Sequence, residues 1–233
     1  THYLSENFLM GFLNDISSVP QPPVTIGFEH INRYWDGLNK VWSAKILPGE
    51  LYVSSHGEMI STVLGSCISV CIRDTKKGIG GMNHFMLPQT NEFSSDSWGS
   101  NSVTSASRYG NWAMEYLINA IIKLGGEKKN FEVKVFGGGQ MMASMTDIGQ
   151  KNILFVYQYL AEEQLNIVAS DVGDIYARKV LFFPDTGSVK VRRIKNVKND
   201  TIIRRETAYE KHVGVESKSE SDTSNIELFG DKK

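Results

Sequence analysis

Alternating apolar and polar positions mark the predicted strands of this chain. Between residues 67 and 74 every second position is isoleucine or valine, which is the period of a strand with two different faces. Other short runs, rich in β-branched and aromatic residues, predict further strands. These runs lie at residues 51–54, 59–64, 131–136, 167–169, 178–183 and 188–192.

Two longer segments have apolar residues at helical spacing instead. Ser107 to Leu124 carries an apolar stripe and is followed by Gly125-Gly126, a typical helix stop. Residues 149–166 have a similar stripe and predict a second helix. Because strands and helices are mixed without strict alternation, the pattern predicts an α+β fold with a mixed or antiparallel sheet.

The two ends of the chain differ from its middle. Residues 1–45 contain Pro20-Gln-Pro-Pro23, which interrupts regular structure and predicts an N-terminal arm. Residues 46–194 contain most of the predicted strands and helices and form the expected domain. Residues 195–233 are charged, with few large apolar residues after Tyr209, and predict a partly disordered tail.

A predicted hairpin brings one cysteine near one histidine. Turn-forming residues 74–78 separate the strand at 67–74 from the apolar run at 80–88. If Asp74 pairs with Lys77, Cys67 lies opposite His84, and directly opposed Cβ atoms are about 5 Å apart. A bulge at Gly80-Gly81 would shift this register by one residue.

A thiol beside an imidazole can ionise near neutral pH, and the thiolate is a strong nucleophile. This pattern therefore makes Cys67 and His84 candidate catalytic residues. A structural interpretation also exists, since free cysteines are often small buried apolar residues and single histidines are often structural. The residues alone leave both interpretations open.

Composition excludes several classes of function. The net charge of −1 and the pI near 6.5 give no electrostatic footprint for nucleic acid or an anionic membrane. No apolar run approaches the roughly 20 residues that span a bilayer. Cys67 and Cys71 would lie roughly 13 Å apart on one strand, too far for a disulfide. The histidines other than His84 have no metal-binding spacing, so we expect a reduced, cytoplasmic protein without a metal.

Two blocks, Leu64–Cys71 and Gly80–Pro88, resemble the signature of the CheD family, the chemoreceptor glutamine deamidases. The resemblance covers roughly residues 46–193 and consists of separated blocks in the same order. The further blocks are Arg108–Gly110, Ala113–Glu115, Leu117–Asn119, Lys134–Gly138, Ile148–Gly149, Asn152, Arg178–Pro184 and Thr186–Gly187.

The resemblance implies an α/β/β layered sandwich with papain-like chemistry on an unrelated topology. The nucleophilic cysteine of the family falls on Cys67 and its histidine on His84. Its third catalytic residue, a threonine six positions before the cysteine, falls on Ser61. Strand alternation turns the neighbouring Thr62 to the opposite face. We therefore expect Ser61 to orient His84, with Thr62 as the alternative.

The reaction that the resemblance implies is hydrolysis of receptor glutamine amides to glutamate and ammonia, without a metal or organic cofactor. Glutamyl methyl esters are a plausible second substrate. The backbone N–H groups of Ser66 and Cys67 are the expected oxyanion donors. The implied partners are the helical cytoplasmic domain of methyl-accepting chemoreceptors and a CheC-type phosphatase.

A glycine-rich segment follows the strand at 131–136. It presents backbone donors and flexible methionines, and the resemblance favours a surface for a substrate or regulator. A strand-to-helix turn without a binding role is the alternative. The segment consists of Gly137, Gly138, Gly139, Gln140 and Met141.

Two other functions remain compatible with the sequence. One is a cysteine hydrolase of another amide, such as a peptidase or a transglutaminase-like enzyme. The other is a non-catalytic regulator that binds receptors and acts by occupancy. Cys67→Ala separates the regulator from the enzyme, because only an enzyme would lose its effect.

Overall fold

The computed structural model describes residues 19–88, 105–140, 146–194 and 201–222. Within these ranges the chain forms ten strands and three helices, with a short 3-10 turn at Lys128–Asn130. They are β1 (Asn32–Asp36), β2 (Val41–Lys45), β3 (Leu51–Ser54), β4 (Met59–Leu64), β5 (Ile68–Asp74), β6 (Gly80–Asn83), α1 (Ser105–Lys123), β7 (Phe131–Gly137), α2 (Thr146–Glu162), β8 (Ile167–Val172), β9 (Ala177–Phe183), β10 (Ser188–Ile194) and α3 (Thr201–Asp222).

The strands form two five-stranded sheets. The first has the order β1-β2-β4-β9-β10 and the second the order β3-β6-β5-β7-β8. Both are mixed, because β2 pairs with β4 and β7 with β8 in parallel, while the other neighbours are antiparallel. The predicted α+β class is confirmed.

The second sheet forms the central layer. Helix α1 packs on β3, β5 and β6, and α2 packs on β5. Residues of β3, β5 and β6 are buried on both faces, and one apolar cluster joins them to the first sheet and to both helices. Burial on both faces explains why these short strands are rich in apolar residues. None of the helices in the described part of the chain is long and apolar enough to span a membrane.

The predicted domain boundaries need correction at both ends. Residues 32–45 are not an arm, because β1 and β2 complete the first sheet and β2 pairs in parallel with β4. Part of the predicted tail is the helix α3, not disordered chain. Residues 1–18 lie outside the described ranges.

The hairpin exists, but its predicted register is wrong by two residues. Phe85 bridges Ile68, so the residue after His84 pairs with the residue after Cys67. The connection is longer than expected, because the carboxylate of Asp74 accepts hydrogen bonds from the backbone of residues 76 and 77 and Gly78 takes a positive φ. A shift of two residues preserves the face on which each side chain lies. Cys67 and His84 therefore still approach each other.

Candidate active site

Cys67 ends a short bend, Gly65–Cys67, that connects β4 to β5 and is buried. The backbone after β7 holds this bend in place. Gly139 N–H donates to the carbonyl of Gly65 at 2.7 Å, and Gly138 N–H donates to the carbonyl of Cys67 at 2.8 Å. Such close backbone approach requires glycine, since a Cβ at Gly137 would lie 2.2 Å from the Cys67 carbonyl oxygen.

The predicted binding surface at 137–141 is therefore wrong for its three glycines. Gly137, Gly138 and Gly139 are buried, and they support the bend instead of facing a partner. Only Gln140 is exposed, and Met141 lies outside the described residues.

Asn152 of α2 ties the same bend to the segment after His84. Its Nδ2 donates to the carbonyl of Ser66 at 2.9 Å, and its Oδ1 accepts the N–H of Leu87 at 2.8 Å. Asn152 is fully buried. One signal for this role is visible in the sequence, because Asn152 is a polar residue among the inward-facing apolar positions of α2.

His84 is fixed through its backbone and through Nδ1. Its N–H donates to the carbonyl of Glu50, and its carbonyl accepts the N–H of Gly49. Nδ1 lies 2.8 Å from Thr62 Oγ1, which itself donates to the carbonyl of Ile46 at 2.9 Å. A threonine hydroxyl has one proton, so it accepts the second hydrogen bond. His84 therefore carries its proton on Nδ1 and leaves Nε2 as a base.

Thr62, and not Ser61 as expected, makes the hydrogen bond with His84 Nδ1. Ser61 Oγ lies 3.3 Å from Ser43 Oγ and 3.4 Å from the Tyr34 hydroxyl, on the other face of β4. Strand alternation separates the two residues as expected, but the sequence did not show which face meets His84. Both faces of β4 are buried, so hydropathy carried no information on this choice.

Glu206 of α3 completes the cluster and was not expected from the sequence. Its carboxylate accepts the N–H groups of Gly65 and Ser66 at 2.7 Å each, the Ser66 hydroxyl at 2.7 Å and the N–H of Cys67 at 3.2 Å. Gly65 permits this approach, since a Cβ there would lie 2.6 Å from Glu206 Oε2. The predicted N–H donors of Ser66 and Cys67 therefore both bind the Glu206 carboxylate. The Gly65 N–H and the Ser66 hydroxyl, which were not predicted, bind the same carboxylate.

The electrostatics of this arrangement disfavour an ion pair between a Cys67 thiolate and a His84 imidazolium. Cys67 Sγ, a ring nitrogen of His84 and a carboxylate oxygen of Glu206 all lie within 4.8 Å of one another, and all three residues are buried. Burial raises the pKa of Cys67 well above its usual range, and the charge of Glu206 raises it further. Burial lowers the pKa of His84 to about 3. In this state Cys67 is a thiol and His84 is neutral.

The same three atoms are close enough to hold a metal ion. Both carboxylate oxygens of Glu206, however, already accept two hydrogen bonds each. Hydrogen-bond donors surround the anion as they would surround an oxyanion, so the donor set fits acyl chemistry better than metal ligation.

His84 should make stability depend on pH. Its pKa is lowered from 6.5 to about 3, so between these values only the unfolded chain binds the proton. The free energy of unfolding then falls as pH drops below about 6.5, by about 2 kcal/mol at pH 5. Denaturant unfolding at pH 7 and pH 5 should show this extra loss in wild type but not in His84→Gln. An identical pH dependence in both proteins would contradict the prediction.

The sequence of this chain is similar to a known protein family and to named proteins of other organisms. The family profile described as CheD chemotactic sensory transduction matches residues 86–193. The Probable chemoreceptor glutamine deamidase CheD of Halorhodospira halophila is 48% identical over 191 residues, which cover 82% of this chain and 88% of that protein. The Shewanella oneidensis protein named Probable chemoreceptor glutamine deamidase CheD 1 is 44% identical over 213 residues, covering 91% and 99% respectively.

Proposed function

The chain belongs to the CheD family, and from this membership and the geometry of its site we propose that it is a chemoreceptor glutamine deamidase. The proposed reaction replaces the side-chain NH₂ of receptor glutamines by OH and releases ammonia. The enzyme acts in the cytoplasm on the helical domain of methyl-accepting receptors. A CheC-type phosphatase is a proposed further partner.

One observation carries this proposal. Four donors from Gly65, Ser66 and Cys67 bind the end of a glutamate side chain beside a thiol and an unpartnered imidazole nitrogen. Glutamate is the product of glutamine deamidation. A site that accommodates this side chain beside a nucleophile supports attack on the corresponding amide.

The proposed mechanism begins with proton transfer from Cys67 to His84 Nε2, for which the tautomer set by Thr62 leaves a lone pair available. The thiolate attacks the amide carbon, and the donors of Gly65, Ser66 and Cys67 stabilise the oxyanion. The imidazolium then protonates the amide nitrogen, which leaves as ammonia when the C–N bond breaks. His84 activates a water that hydrolyses the thioester and restores the thiol. A glutamyl methyl ester would react through the same intermediate, with methanol as the leaving group.

The test is peptide mass spectrometry of a receptor cytoplasmic fragment after incubation with the full chain. We expect conversion of glutamine to glutamate at discrete positions, with the receptor backbone intact. Cleavage of the backbone would favour a peptidase. A fragment that is bound but unmodified would favour the non-catalytic regulator.

Thr62 acts through His84 in this mechanism, as a positioning residue. Thr62→Val removes the acceptor for Nδ1–H, and we expect kcat/KM to fall about 100-fold because the base loses its correct tautomer. The acidic limb of the pH–rate profile should also shift. Thr62→Ser should restore most activity, because it retains the hydroxyl.

Ser61→Ala is the matched control, since it removes a hydroxyl from the adjacent position on the other face of β4. We expect its activity and pH profile to match those of wild type. A loss in Ser61→Ala that equals the loss in Thr62→Val would contradict the assignment of Thr62.

A further inference from the structure

Helix α3 lies over the site and contacts it through one face. Glu206, Tyr209 and Val213 follow each other at intervals of three and four residues and therefore share a face. Glu206 and Val213 are buried, at 2% and 3% exposure, and Tyr209 packs against the apolar core. Anchors with this spacing are typical of an amphipathic helix bound in a groove.

Tyr209 fixes the position of α3 on the domain. Its ring lies so close to Gly49 that a Cβ there would be 2.8 Å from Cε2. Its hydroxyl contacts the hydroxyl of Tyr109 on α1. Gly49 in turn donates its N–H to the carbonyl of His84, so the contact of Tyr209 adjoins the candidate base.

Glu206 enters the site in the way expected for a reaction product. It has the side chain that deamidation leaves on the substrate. Its carboxylate accepts hydrogen bonds from the same groups of Gly65, Ser66 and Cys67 that are proposed to bind the oxyanion. Charge-assisted hydrogen bonds from backbone N–H groups are stronger than neutral ones, so four donors on one buried carboxylate form a specific contact. Ser66 contributes two of them, through N–H and hydroxyl.

We propose that α3 is an intramolecular ligand of the active site, in which Glu206 occupies the substrate position as a product-like side chain. The inference rests on the proposed function. It implies that a receptor segment must displace α3 before it can react. The thiol of Cys67 is also unreactive while α3 covers the site, because burial and the Glu206 charge keep it protonated.

Alkylation of Cys67 by iodoacetamide tests whether α3 covers the site, independently of deamidation. In the full chain, Glu206→Ala should raise the Cys67 alkylation rate at least about tenfold, since the helix loses its buried anchor and opens more often. Cys71 is buried in β5 and serves as an internal control for unfolding. An unchanged rate at Cys67 would overturn the proposal.

Glu210→Gln is the matched variant for charge. Glu210 also raises the pKa of Cys67 through its charge, but it is the Glu206 carboxylate that accepts the hydrogen bonds from residues 65–67. We expect its Cys67 alkylation rate to stay near that of wild type. A rise equal to that of Glu206→Ala would show a charge effect and would overturn the role of the contact.

Glu206→Gln tests the substrate position itself, because it places an amide where a substrate amide would bind. The Cys67 thiolate would attack Cδ of this amide, the C–N bond would break, and ammonia would leave with the proton from His84. Water would then hydrolyse the thioester and regenerate glutamate. Peptide mass spectrometry should detect this conversion at position 206 in Glu206→Gln, but not in the double variant Glu206→Gln/Cys67→Ala.

The outcomes separate this inference from the proposed function. Receptor deamidation by wild type combined with an unconverted amide at position 206 would overturn the inference alone. Failure of both conversions, with alkylation still dependent on Glu206, would refute the proposed function and with it the product-like role of Glu206.

Discussion

Cys67→Ala should lower the initial rate of ammonia release from a receptor fragment by at least about 10⁴-fold, because no other group can form the covalent intermediate. Cys67 lies beside the base and among the donors of the Gly65–Cys67 bend. Its substitution removes a small side chain and leaves the backbone donors in place. Binding of the fragment should therefore persist.

Cys71→Ala is the control for this prediction. Cys71 is also buried with a raised pKa, as Cys67 is, but it does not belong to the cluster that Cys67 forms with His84 and Glu206, so we expect no catalytic role for it. It pairs with Met82 and Lys134 inside the second sheet. We expect some loss of stability and retention of activity. If Cys71→Ala abolished activity while Cys67→Ala did not, the assignment of the nucleophile would be wrong.

Gly65→Ala should reduce kcat/KM by about 10²- to 10³-fold, the effect of losing an oxyanion donor. The added Cβ would lie 2.6 Å from Glu206 Oε2 and would equally obstruct a substrate oxygen at that position. Gly65 has no positive φ, so alanine causes no backbone strain there. The same substitution should also loosen α3 and speed alkylation of Cys67. The expected result for Gly65→Ala is therefore faster alkylation of Cys67 combined with slower catalysis.

Gly37→Ala is the matched control for Gly65→Ala. A Cβ at Gly37 meets no atom within 4 Å, and its φ is not positive. We expect wild-type rates of both reactions. Undiminished activity in Gly65→Ala would contradict the placement of the oxyanion.

The sequence predicted the elements of the core well because their periods are clear. The strands at 51–54 and 59–64 have the expected bounds. The ends of α1 and α2 differ from the predicted ends by a few residues. The proximity of Cys67 and His84 followed from the hairpin even though the register was wrong. Side-chain faces depend only on the parity of the register, and a shift of two conserves it.

Other features of the site could not be predicted because they depend on tertiary contacts. The choice between Ser61 and Thr62 required knowing which face of a doubly buried strand meets the second sheet. Glu206 lies about 140 positions from its partners, in a segment whose composition indicated a solvated tail. Its hydrogen bonds depend on how α3 docks, which local patterns do not encode.

The central claim, that Cys67 deamidates receptor glutamines, is tested most directly by peptide mapping of a chemoreceptor cytoplasmic fragment after incubation with wild type and with Cys67→Ala. We predict that discrete glutamines become glutamates with wild type and remain unchanged with Cys67→Ala. Equal conversion by both proteins, or none by either, would contradict the claim.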